Sequence, residues 1–75
     1  MSTAELKEVL TLAFGNQIAV ESIESRSFFT ISAIVKRRFF VKSEYFKSCL
    51  FLPEEEKVIL EMTLDQAMSL KYTIS

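Results

Sequence analysis

Phe28-Phe29-Thr30-Ile31-Ser32-Ala33-Ile34-Val35-Lys36-Arg37-Arg38-Phe39-Phe40-Val41-Lys42 is the stretch that decides the fold of this 75-residue chain. From Phe29 the odd positions are Phe29, Ile31, Ala33, Val35, Arg37, Phe39 and Val41, and the even positions are Phe28, Thr30, Ser32, Ile34, Lys36, Arg38, Phe40 and Lys42. Alternation of period two, rich in Phe, Ile, Val and Thr, predicts an extended strand with one buried face. The run is long for a single strand, so a bend or bulge near Lys36–Arg38 is expected. A hairpin at that point would lack turn residues.

Working outward toward the N-terminus, Gln17–Glu24 holds Ile18, Val20 and Ile23 among polar neighbours and reads as a strand, with Ser25-Arg26-Ser27 as the turn into the central run. Residues 3–14 carry Leu6, Val9, Leu10, Ala13 and Phe14 at the i, i+3, i+4, i+7, i+8 spacing of an amphipathic helix. Ser2 with Glu5 forms a capping box, and Gly15-Asn16 is the expected left-handed stop.

Toward the C-terminus, Ser43-Glu44 is a polar break and Tyr45–Leu52 a further strand. Pro53-Glu54-Glu55-Glu56 then turns into a strand at Lys57–Met62. Proline cannot donate to a ladder and three adjacent carboxylates must be solvated, so this tetrapeptide belongs at a loop tip. Thr63 and Gln66 make a second capping box, opening a helix whose apolar face is Leu64, Ala67, Met68 and Leu70. Tyr72–Ser75 is expected to fray or add a short strand. The expected fold is therefore a single α+β domain over residues 1–75. It is a two-layer structure in the order α-β-β-β-β-α, with an antiparallel sheet of about four strands and both helices on one face.

Composition excludes much chemistry. The chain has no histidine, one cysteine (Cys49), one glycine (Gly15) and one proline (Pro53). Without imidazole there is no Ser-His or Cys-His nucleophile pair and no His-bound metal. One thiol cannot form an internal disulfide or a thiolate zinc site, and one glycine cannot build a phosphate-cradling loop. Cys49, set among Ser48, Leu50 and Phe51, reads as a small buried apolar residue. Asp65 reads as a helix N-terminal charge, and Glu54–Glu56 as a solvated tip, since adjacent carboxylates diverge rather than converge on a metal. No catalytic residue, metal ligand or cofactor is expected, and the chain is not expected to be an enzyme.

Net charge is −1, with nine basic and ten acidic side chains, so overall charge selects no partner. No apolar run approaches the length of a membrane span, and the Met1–Glu5 start lacks the basic and apolar segments of an export signal. With its lone thiol, the chain is expected to be cytoplasmic. Its composition is 49% apolar with seven Phe, much for a chain with so little interior. Self-association, most simply as a two-fold dimer, is the expected way to hide the surplus.

The candidate partner-binding residues are Phe28, Ile34, Lys36, Arg38, Phe40 and Lys42, which share the even face if the odd face is buried. Exposed aromatic and arginine side chains suit a protein interface. The leading expectation is a small adaptor, regulator or inhibitor that binds a protein partner and dimerises through its sheet or this aromatic and basic strand. Cations interleaved with rings also suit single-stranded nucleic acid, and the spacing is similar to the aromatic strand of RNA-recognition sheets without their glycines. A nucleic-acid-binding module is therefore the alternative. The plain third reading has Phe40 packed beneath a helix and the cations merely solvated.

Overall fold

The computed structural model describes residues 1–38 and 43–74. The elements follow in the order α1 (Thr3–Phe14), β1 (Ile18–Ser25), β2 (Phe29–Val35), β3 (Ser48–Leu52), β4 (Lys57–Met62) and α2 (Leu64–Ile74). This is the expected α-β-β-β-β-α arrangement, an open antiparallel sheet of four strands. Strand order across the sheet is β1-β2-β4-β3. The chain therefore passes over β4's place after β2, lays β3 at the far edge, and fills the gap with β4.

Cross-strand partners share a face, so register assigns the two sides of the sheet. One row is Ile23, Ile31, Leu60 and Cys49, and the next is Val20, Ala33, Val58 and Phe51. Ile31, Ala33, Val58, Leu60 and Met62 are buried on this side against Leu6, Val9 and Leu10 of α1 and Ala67 and Leu70 of α2. The opposite side carries Ser22, Ser32, Ile59 and Leu50 in one row and Ala19, Ile34, Lys57 and Leu52 in the next.

Local signals explain the element ends. The Ser2 hydroxyl accepts from the Glu5 amide, while the Glu5 carboxylate turns to Lys71 Nζ at 3.1 Å instead of closing the box on Ser2. That ion pair ties the start of α1 to the last turn of α2. The second box is complete: the Gln66 amide donates to Thr63 Oγ1, and the Thr63 amide donates to Gln66 Oε1.

Three local expectations need correction. Gly15 ends α1 in right-handed geometry, φ −60° and ψ −19°, not in a left-handed stop. Glycine is needed there for closeness, because a Cβ would lie 2.4 Å from the Thr11 carbonyl oxygen. The described part of the long central strand ends at Val35, and the bend expected near Lys36–Arg38 is present at Arg37, where the Lys36 and Arg37 amides both donate to the Gln17 carbonyl. The expected continuation through residues 39–42 lies outside the described residues. β3 begins at Ser48 rather than Tyr45: residues 43–45 form a turn, and Phe46 drops into the core, 4% exposed, with its ring 5.8 Å from that of Phe14. Burying that ring favours the turn by removing apolar area from water, while the Lys47 amide still donates to the Glu61 carbonyl of β4. Finally, α2 runs through Ile74 without fraying or forming a strand, the Thr73 hydroxyl bonding both the Ser69 carbonyl and the Tyr45 hydroxyl.

Pro53–Glu55 form one 3-10 turn at the tip between β3 and β4, and all of Pro53–Glu56 are exposed. Glu56 follows at φ 54°, in the left-handed region, and its carbonyl accepts from the Val35 amide.

Candidate interaction surface

The four described candidates do not form one stripe. Phe28 is half-buried beside the β1–β2 turn, and Lys47 Nζ lies 4.7 Å above its ring, so an internal cation already covers a π-face. Ile34 points to the open side, 37% exposed. Its neighbour in the row is Lys57, whose amine reaches Glu21 at 3.2 Å across the intervening strand. Lys36 Nζ donates to the Gly15 carbonyl at 3.0 Å, putting a cation on the C-terminal end of α1, whose own last turn has no basic residue. Arg38 lies, together with Lys36, on a cleft described below. Phe40 and Lys42 fall outside the described residues.

That cleft, of about 470 Å³, sits on the helix side of the sheet near β3. Val35, Phe51 and Val58 give it apolar walls, and Lys36, Arg37 and Arg38 bring positive charge to it. Cys49 opens onto it, which corrects the expectation of a buried thiol: the residue is exposed. Partial desolvation nonetheless raises its pKa, so at neutral pH the thiol stays protonated and weakly nucleophilic.

The surface that sequence reasoning missed is β3 itself. Ser48, Cys49, Leu50 and Phe51 are exposed and Leu52 is half-buried. Leu50 is 58% exposed on the open side and Phe51 55% exposed on the helix side. Register explains both. Phe51 belongs to the same side as the buried Ala33 and Val58, yet the helices rest over the other strands and leave it uncovered. Among the described residues β3 pairs only with β4, so its outer row of backbone N–H and C=O groups faces outward. The signal was present as Ser48-Cys49-Leu50-Phe51-Leu52, five residues without a charge. It became meaningful only once the strand order put that run at an edge.

The other edge, β1, is built differently. Its pairing shifts between Val20 and Ser22, a bulge centred on Glu21, and Glu21, Ser22, Glu24 and Ser25 are exposed along it. Bulges and carboxylates are the usual means of stopping another strand from adding to a sheet.

No described helix is long and apolar enough to cross a membrane. The chain matches no protein-family model, no curated protein and no solved structure.

Proposed function

We propose that this chain is a small non-enzymatic protein–protein interaction module, an adaptor, regulator or inhibitor that works by offering its β3 edge to a strand of another chain. The observation that carries it is the contrast between an uncharged, exposed edge at Ser48–Leu52 and a bulged, acidic edge at β1. Main-chain hydrogen bonds along β3 would supply affinity, while side chains on both faces would supply selectivity. Both the homodimer and the separate protein partner expected from composition would draw on this edge. A lone, protonated thiol at the surface suits a reducing compartment such as the cytoplasm.

The nucleic-acid alternative draws support from the cations around the cleft, but Phe28 and Lys36 already have internal partners. Binding to single strands that falls steeply with salt would favour it.

The test follows backbone amides of the ¹⁵N-labelled chain by NMR, once in purified solution as concentration rises and once in extract of its native cells. Slowed exchange at the outward amides of β3 in either setting, with β1 unchanged, is the expected result. Protection of β1 or the helices alone, or of nothing in both settings, would overturn the proposal.

A further inference from the structure

Resting on β3 as the working edge, we infer that its partner is a second copy of this chain, paired antiparallel about a two-fold axis at Leu50. Three features of the strand lead there. The first is length: with the axis at Leu50 all five residues, Ser48–Leu52, find a partner position, whereas an axis at Cys49 or Phe51 pairs only three of them. The second is size. On the open side Ser48 meets Leu52 of the second copy and Leu50 meets Leu50; on the helix side Cys49 meets Phe51. Each small side chain faces a large one, and the two central leucines face each other, as cross-strand packing favours. The third is charge. Lys47, exposed with its amine over the Phe28 ring, precedes the strand, and the exposed Glu54 and Glu55 follow it. Antiparallel self-pairing brings Lys47 beside the Pro53–Glu55 turn of the second copy, twice over by symmetry. Such exposed pairs add little strength and act mainly to select orientation.

An axis perpendicular to the sheet keeps each face continuous. The assembly is then one sheet in the order β1-β2-β4-β3-β3-β4-β2-β1, with all helices on one side and an acidic, bulged β1 at both outer ends. Growth stops at two copies because neither remaining edge accepts a strand.

Disulfide trapping in mild copper-phenanthroline tests the register, with sedimentation velocity run alongside. In a Cys49→Ser background, single cysteines are placed by Leu50→Cys, Ser48→Cys and Leu52→Cys, with Glu24→Cys on β1 as the control; the native chain supplies Cys49. The expected result is a dimeric species in sedimentation and cross-linking of Leu50→Cys several-fold faster than of native Cys49 or Glu24→Cys. Ser48→Cys and Leu52→Cys should cross-link efficiently only when mixed with each other. Fastest trapping through native Cys49 would overturn the register, and trapping equal to the β1 control would overturn self-pairing at this edge. A chain monomeric at all concentrations overturns the second-copy inference, and strand addition to a different protein then stands or falls on the extract arm of the amide experiment.

Discussion

The two edges of this sheet are opposite solutions to one problem. β1 is eight residues long, runs over α1, bulges at Glu21 and ends in the exposed Glu24–Ser25 pair, with Arg26 and Glu24 3.8 Å apart. β3 is five residues long, carries no charge and exposes Leu50 and Phe51 on opposite faces. A monomer with no use for its edges would be expected to defend both. Defending one and leaving the other apolar is the asymmetry on which the proposed strand addition at β3 rests. Exposed apolar side chains also occur singly on the helices, at Leu12, Leu64 and Tyr72, and β3 is where two of them, Leu50 and Phe51, adjoin on an edge strand.

The comparison breaks most violently if β3 loses its support. β4 holds β3 to the rest of the sheet, and Leu60 is fully buried between Ile31 and the helices. Leu60→Ala should lower unfolding free energy by about 2–5 kcal/mol, measured by urea denaturation, and dissolve both edges together. The next change exchanges the characters of the edges. Leu50→Lys should abolish association while changing monomer stability by less than about 0.5 kcal/mol, since the site is exposed. The double change Glu21→Val, Glu24→Val should make β1 adhesive, so that light scattering reports growth beyond two copies. If the double variant behaves like the parent, the bulge alone guards β1 and charge is incidental.

Lys36→Ala probes a residue that sequence reasoning assigned to binding and the structure places at a helix end. It should cost about 0.5–1 kcal/mol of stability through loss of the cation at the α1 terminus, and leave association untouched. The smallest effect concerns Cys49. Its pKa is raised by desolvation, so the folded state holds the proton more firmly than the unfolded state. The contribution of Cys49 to stability should then be constant below about pH 8.5, the ordinary thiol value, and decline as pH rises from there through the folded-state pKa. Cys49→Ser should remove that decline in pH-dependent melting curves.

Helix α1, the Thr63–Gln66 box and the exposed Pro53–Glu56 tip were legible because each rests on neighbours three or four residues apart. The fold class followed from the same local periods. Phe46 was not legible: it was read as part of a strand over Tyr45–Leu52, and its burial in the core beside the distant ring of Phe14 depends on tertiary packing. The contact of Lys36 with the end of α1 was not legible for a similar reason, since its acceptor lies 21 positions away in sequence. Of the candidate surface, the stretch 28–42 was noticed for its rings and cations, and the plainer Ser48–Leu52 was passed over as an ordinary strand.

Residue order by itself determined which segments are helix or strand, where most of them stop, and which chemistries are absent, because periodicity, capping and side-chain inventory are properties of short windows. Only the tertiary structure decided that β4 slides between β2 and β3, that the helices leave β3 bare, and that Lys36 and Phe28 are already occupied. Those outcomes depend on which distant surfaces compete best for one small core, and no window of neighbouring residues contains that competition.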